Sequence, residues 1–356
     1  MALKIAIKKT NQPGTLPPDD ALGFGKIFTD HMFVMDYTAG KGWHDPRIVP
    51  YGPFSLDPAT LMFHYGQATF EGLKAFHAGD RIMLFRPQAN VDRMNRSNDR
   101  VCIPRLDPDD HLQAIMELVR VESRWVPKNE GTALYIRPTV IATEAFLGVH
   151  VSSKYIFFII LSPVGAYYKE GFNPVKILVE DEYIRAAKGG LGEAKTPANY
   201  AASLLAAEKA QKKGFTQVLW LDGVERKWIE EVGTMNIFFL IDDELVTAPL
   251  AGTILPGVTR DSVLKLTRDW GMRVSERKLS IDEVMDAAQS GRLKESFGAG
   301  TAAVISPVGS LTYKDKTVTV TGGKVGPLAK KLYDTITGIQ YGKLKDPYGW
   351  TVVVET

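Results

Sequence analysis

The run Gly189-Gly190-Leu191-Gly192-Glu193-Ala194-Lys195-Thr196-Pro197-Ala198-Asn199-Tyr200 sets one lysine between a glycine-rich turn and an alanine-rich helix. Such a loop presents a single amine. An amine that is to act as a nucleophile must be partly desolvated, so that its neutral form is accessible, and Lys195 is therefore a candidate covalent catalyst. On this segment alone a solvated surface lysine is the plainer reading, because most lysines are exposed. The rest of the chain decides between the two.

Working outward, Ala198 to Lys213 reads as a helix closed by Gly214, preceded by a strand at 175–180. Upstream, the composition of Tyr168-Lys169-Glu170-Gly171-Phe172-Asn173-Pro174 is that of a linker. It separates a small N-terminal domain (residues 1–167) from a large C-terminal one (176–356), with 168–175 between them. Within the first domain, residues 10–23 look like a loose arm and 88–100 like a helix. A second helix starts at Pro108, capped by Asp107, with Leu112, Ile115, Met116 and Val119 along one face. Strands are expected at 132–141, where Pro138 suggests an edge or a bulge, and at 154–164. In the second domain a hairpin spans 237–247, and helices begin near Val258, Ser280 and Val325. Strands and helices alternate irregularly, so the class is α+β (mixed α/β) rather than a regular doubly wound sheet.

Lys and Arg number 43 against 41 Asp and Glu, a net charge of +2 that points to neither nucleic acid nor an anionic membrane. The longest apolar run, Tyr155 to Leu161, falls far short of the roughly 20 residues of a membrane helix. A single cysteine, Cys102, excludes an internal disulfide, and its apolar neighbours suggest a packed, inert thiol. The N-terminus carries no signal-peptide or transit-peptide pattern, so a cytoplasmic protein is expected. The six histidines show no metal-binding spacing, and no Gly-x-Ser-x-Gly elbow is present. A nucleotide-binding P-loop needs a glycine directly before its lysine, where this chain has Ala194.

Three further segments bear on the chemistry. Leu255-Pro256-Gly257-Val258-Thr259-Arg260 turns into a helix whose first amides, on Val258 and Thr259, suit a phosphate; it also reads as an ordinary turn. Phe297-Gly298-Ala299-Gly300-Thr301-Ala302-Ala303 permits close backbone approach beside the Thr301 hydroxyl, yet a lone Gly-x-Gly is weak. In Glu230-Glu231-Val232-Gly233-Thr234-Met235-Asn236 a carboxylate enters an apolar strand and needs a partner, unless the pair is solvated. Lysine, carboxylate, helix-start amides, Thr and Arg together describe a site for pyridoxal phosphate.

The chain resembles the branched-chain amino acid aminotransferases, enzymes of pyridoxal phosphate fold type IV with two domains. The matching runs include Phe70-Glu71-Gly72-Leu73-Lys74-Ala75-Phe76, Asp92-Arg93-Met94 and Tyr135-Ile136-Arg137-Pro138. They continue with Glu231-Val232-Gly233-Thr234-Met235-Asn236, Ile254-Leu255-Pro256-Gly257-Val258 and Gly338-Ile339-Gln340-Tyr341-Gly342, in order over nearly the whole chain. The resemblance implies that Lys195 is the Schiff-base lysine and proton carrier, that Glu231 pairs with the pyridine nitrogen, and that Tyr200 bonds the ring hydroxyl. It implies a phosphate grip from Arg93, Thr301 and the amides of Val258 and Thr259. The amides of Thr301 and Ala302 would take the substrate α-carboxylate.

By the same resemblance Phe24, Tyr65, Phe70, Tyr135 and Tyr167 line the side-chain pocket, and Arg137 meets the distal carboxylate of glutamate. Leu147 and Val149 would reach, with Tyr65, into the neighbouring subunit of a homodimer. The implied reaction is reversible transamination of leucine, isoleucine or valine with 2-oxoglutarate. A D-amino acid aminotransferase or an aminodeoxychorismate lyase of the same fold is the alternative, with a non-catalytic binding protein behind it. Pro197, in the loop between Lys195 and Asn199, departs from the family's small residues there. Ala303 and Ser306 replace the paired cysteines of some animal members, against thiol regulation at that place.

Overall fold

The computed structural model describes residues 3–165 and 172–355. The chain divides into two units: Met1–Tyr167 with Ala194–Pro197 and Gly338–Thr356, and Tyr168–Glu193 with Ala198–Thr337. Helices and strands are mixed in both, the class expected from the sequence.

The first unit opens with strands β1 (Ala6–Ile7), β2 (His31–Thr38), β3 (Gly42–Pro50), β4 (Ala68–Phe70), β5 (Leu73–Ala78), β6 (Arg81–Phe85), β7 (Ala133–Ala142) and β8 (Lys154–Val164). Between them lie helices α1 (Leu61–Tyr65), α2 (Pro87–Arg100) and α3 (Pro108–Val121). The strand order is β1-β3-β2-β8-β7-β5-β6, with β4 also paired to β7. Side chains alternate across a strand, so each strand contributes to two faces. Leu134, Ile136 and Val140 of β7 join Tyr155, Phe157, Ile159 and Leu161 of β8 in a core that includes Val91 and Met94 of α2 and Ala114, Ile115 and Leu118 of α3. Tyr135, Arg137 and Thr139 therefore point from the opposite face, where they are half-buried.

Local chemistry explains the helix starts. The Asp107 carboxylate accepts from the amides of Asp109 and Asp110 at 2.9 and 3.1 Å, with Pro108 following in the first turn. Pro138 is not at an edge, because β7 runs between β8 and β5. Its missing N–H falls where the partner changes. β4 pairs with residues 139–141 and β5 with 134–136, and Glu71 N–H bridges the break to Pro138 O at 2.8 Å. The segment read as a loose arm is tied down by Thr10 N–H to His31 Nε2 at 2.8 Å and Gly14 N–H to Asp30 Oδ1 at 2.7 Å. Cys102, read as packed, is exposed and has φ 56°.

The second unit contains β9 (Val175–Glu180), β10 (Gln217–Leu221), β11 (Ile229–Val232), β12 (Met235–Ile241), β13 (Glu244–Thr247), β14 (Arg273–Glu276), β15 (Leu293–Gly300), β16 (Val304–Tyr313) and β17 (Lys316–Thr319). Its order is β11-β10-β9-β16-β15-β12-β13-β14, and a further β11–β12 pairing closes the first six strands into a ring. The helices are α4 (Pro197–Lys212), α5 (Val258–Asp269), α6 (Ile281–Gln289) and α7 (Pro327–Gln340). Pro197 is the first residue of α4, a position proline favours. Ser280 caps α6 by accepting from Glu283 N–H at 3.1 Å. The last strand, β18 (Thr351–Val354), pairs with β6 of the first unit, whereas the sequence reading carried the second domain on to residue 356. Tyr167 and most of the segment read as a linker lie outside the described residues.

His111 sits on α3 inside the first core, its ring 4.8 Å from that of Phe157, with neither nitrogen hydrogen-bonded. Burial holds the imidazole down to about 4, against the opposing charge of Glu71. Between pH 4 and the free-imidazole value of 6.5, the unfolded chain binds a proton that the folded chain refuses. Folding stability should therefore fall as pH drops from 6.5 toward 4. Urea titrations across that range should show a shallower fall for His111→Leu than for the parent protein.

Candidate active site

In the first unit, β4 ends at Phe70 and β5 begins at Leu73, so Glu71 and Gly72 form the step between them. Phe70 N–H donates to Lys195 O at 3.0 Å, and Lys195 N–H donates to Ser97 Oγ at 2.9 Å. The Lys195 main chain is thus held on both sides, and its Nζ lies 4.9 Å from the Phe70 ring centroid. The Arg137 guanidinium stands 4.7 Å from the same centroid and donates to Tyr135 Oη at 3.0 Å. Phe24 meets Tyr135 edge-on at 5.0 Å. A Cβ on Gly72 would lie 2.0 Å from Tyr135 Oη, so glycine is needed for the tyrosine to occupy this place. Phe24, Phe70, Tyr135 and Arg137 are half-buried and form one cluster with Lys195.

Arg93, on α2, is buried and bidentate on Glu71: Nε to Oε1 at 2.7 Å and Nη2 to Oε2 at 2.8 Å. Glu71 is fully buried and also accepts from Asn90 Nδ2 at 2.8 Å. Burial alone would push its carboxyl up, but the charge and hydrogen bonds of Arg93, with the charge of Lys195, hold it below the usual range. Glu71 stands within the motif Phe70–Phe76, where nothing local marks it as the arginine's partner. Tyr65 donates to Leu147 O, which joins two residues expected to act together. Both are exposed, and Val149 is 81% exposed. Phe63, Phe146 and Val151, on the same two segments, are exposed as well.

In the second unit, Glu231 lies on β11 and is only 3% exposed, so the pair Glu230-Glu231 is not solvated. Its Oε1 accepts from Leu255 N–H at 2.7 Å and stands 3.1 Å from Arg185 Nη2. The neighbouring Glu230 receives a hydrogen bond from Thr253 Oγ1 at 2.5 Å, and burial pushes its carboxyl up. Across the sheet Glu231 pairs with Asn236 and Asn236 with Ala299, which sets the turn Thr301-Ala302-Ala303 at the end of the same ladder. That turn closes on Val304, a β-branched residue at φ 63°, a conformation such residues rarely adopt.

Asn236 Nδ2 donates to Leu255 O at 3.0 Å, and its Oδ1 would be 2.0 Å from a Cβ on Gly257. Gly257 precedes α5 and supplies no side-chain cap, so Val258 and Thr259 begin a helix whose positive end suits an anion. Tyr200 is half-buried in the first turns of α4, where Asn199 Nδ2 donates to Leu191 O at 2.7 Å. Arg185 escaped the sequence reading. It precedes the glycine turn by a few residues, and its partners are remote in the chain. No helix among the described residues is long and apolar enough to cross a membrane.

The family model for amino-transferase class IV matches residues 68–311. Branched-chain-amino-acid aminotransferase 2 of Bacillus subtilis is 57% identical over 353 residues, covering 99% of this chain and 97% of that protein. The branched-chain amino acid aminotransferase structure from Escherichia coli superposes with a TM-score of 0.77 at 27% identity, over 92% of this chain and 99% of that one. The structure of the Thermobaculum terrenum branched-chain amino acid aminotransferase in its PLP form shares the fold, with a TM-score of 0.74 at 22% identity, over 91% of this chain and 98% of that one.

The Glu71–Arg93 pair yields a stability prediction. Glu71→Gln leaves a buried guanidinium without its counter-charge, which costs about 3–5 kcal/mol. Chemical denaturation should register a loss of that order, with much of it recovered in the double variant Glu71→Gln/Arg93→Met.

Proposed function

The chain belongs to the class IV aminotransferases, and from that premise we propose that it is a branched-chain amino acid aminotransferase. The reaction is the reversible exchange of the amino group of leucine, isoleucine or valine with the oxo group of 2-oxoglutarate. Identity of 57% over nearly all of both chains carries this reading.

The residues fit pyridoxal phosphate. The buried Glu231 carboxylate on β11 would find its counter-charge in a protonated pyridine nitrogen. A helix start that would reject a Cβ at Gly257 suits a phosphate. When bound, the coenzyme supplies an electron sink for the substrate's α-carbon. Glu231 would hold the ring nitrogen and Tyr200 the ring hydroxyl; Arg93, Thr301 and the amides of Val258 and Thr259 would hold the phosphate.

Lys195 would carry the coenzyme and, when released, move the proton at the substrate α-carbon. Its amine lies against the Phe70 ring on a main chain fixed by two hydrogen bonds, which supports that role. Phe24, Phe70 and Tyr135 would receive an apolar side chain. Arg137 and the Tyr135 hydroxyl would neutralise the distal carboxylate of glutamate, and the amides of Thr301 and Ala302 would take the α-carboxylate. A homodimer and a cytoplasmic setting complete the reading. The first is supported by the exposed side chains of Tyr65, Leu147 and Val149, the second by a single cysteine.

Borohydride reduction followed by peptide mass mapping should find the pyridoxyl label on Lys195 and on no other lysine. Lys195→Ala should lower the rate of leucine–2-oxoglutarate exchange by about 100-fold or more. Arg137→Met should raise KM for 2-oxoglutarate at least tenfold, a loss of about 1.4 kcal/mol of binding, with a much smaller change for leucine. Equal effects on the two substrates would remove Arg137 from the carboxylate role. Activity with D-alanine in place of L-leucine would overturn the substrate assignment.

A further inference from the structure

Arg185 occupies a junction that the reaction scheme above leaves unused. Its side chain is 8% exposed. From Nη2 it donates to Gly192 O at 3.0 Å and to Thr253 O at 2.5 Å, while the same nitrogen stands 3.1 Å from Glu231 Oε1. These acceptors belong to three separate pieces of chain. Gly192 closes the turn that leads to Lys195. Thr253 lies in the loop that leads to Gly257 and the start of α5. Glu231 is the buried acid of β11.

The two loops press together at this point. A Cβ on Gly192 would fall 2.4 Å from Thr253 O and 2.6 Å from its carbonyl carbon, which are backbone atoms and cannot swing aside. Two buried carbonyl oxygens that converge on one nitrogen need a donor there, and a cationic donor satisfies both. Glu231 gains from the same charge, since a carboxylate buried in a strand otherwise favours its neutral form. Adjacent Glu230 shows the contrast. It has a hydroxyl donor on one oxygen, no partner on the other, and a carboxyl pushed up by burial.

We propose that Arg185 is a positioning residue. It keeps Glu231 ionised, and it locks the loop before Lys195 to the loop before α5. The inference rests on the assignment of pyridoxal phosphate to these residues. Arg185 touches no substrate; it acts through Glu231 and two backbone carbonyls.

Its test uses the full-length protein, stripped of coenzyme and titrated with pyridoxal phosphate. Two readouts are taken: the dissociation constant, and the pH dependence of the visible absorption band of the bound coenzyme. In Arg185→Met the constant should rise at least about tenfold, because buried acceptors lose their donor, and the pH profile should shift. Arg185→Lys keeps the charge, but its shorter side chain brings the nitrogen less close to Gly192 O, Thr253 O and Glu231. It should bind several-fold more weakly than the parent protein with an unshifted profile.

If Arg185→Met binds as tightly as the parent, or binds weakly with an unshifted profile, Arg185 does not act through Glu231 and the proposal fails. Should Arg185→Met not fold, Arg185→Lys decides: parent-like affinity, or a displaced profile, overturns it. Failure of the parent protein to take up pyridoxal phosphate would instead reject the coenzyme assignment, and this inference with it.

Discussion

A carboxylate removed from water must be met by a cation or by several hydrogen bonds, and this constraint shapes both units. In the first, Glu71 is closed off from solvent and held by Arg93, Asn90 and the Gly72 amide. In the second, Glu231 is held by the Leu255 amide with Arg185 alongside. The burial penalty of such charges is several kcal/mol per ion. Each pair therefore fixes its neighbourhood: α2 is tied to the step between β4 and β5, and β11 to the loop before α5. Neighbouring Glu230, which lacks a cation at hydrogen-bonding distance, is driven toward its neutral form instead.

Around these pairs the backbone is drawn unusually close to side chains. Gly72 admits the Tyr135 hydroxyl, Gly257 admits Asn236, and Gly192 admits the Thr253 backbone. In each case a methyl group would have to displace a polar atom. The glycines thus let strands and loops carry polar groups into packed surroundings without separating the elements that bear them. The alternation of β7 does the rest, sending Leu134 and Ile136 into the core and Tyr135 and Arg137 to the other face.

Much of this was legible in the sequence, and the reasons are local. Asp107-Pro108 announces a helix start because cap and first-turn geometry depend on adjacent residues, and Ser280 does the same for α6. The motif runs singled out Lys195, the buried Glu231 and Arg93, and the aromatics that cluster with Lys195. What stayed hidden was long-range. Arg185 and Glu231 are joined by folding rather than by spacing, as are Arg93 and Glu71. Pro138 suggests an edge or a bulge because its missing N–H is visible in sequence, whereas the change of partner strand that accommodates it is not. The pairing of β18 with β6 and the anchoring of the arm at Thr10 and Gly14 likewise depend on contacts no window of sequence contains.

The anchoring of Lys195 shows why a fixed backbone and a flexible side chain belong together in the proposed reaction. Phe70 N–H and Ser97 Oγ engage the two polar groups of its main chain. Pro197 follows as the first residue of α4, so the chain beyond the lysine is also constrained. The four-carbon stem alone remains to move the amine. An amine that must serve first as an anchor for the coenzyme and then as a proton carrier needs only a short swing about a stationary Cα. A mobile backbone would spread that swing over many positions and forfeit the advantage of holding the reacting groups in place. A fixed main chain and a side chain long enough to swing are thus two halves of one requirement, and the hydrogen bonds from β4 and α2 satisfy the first half.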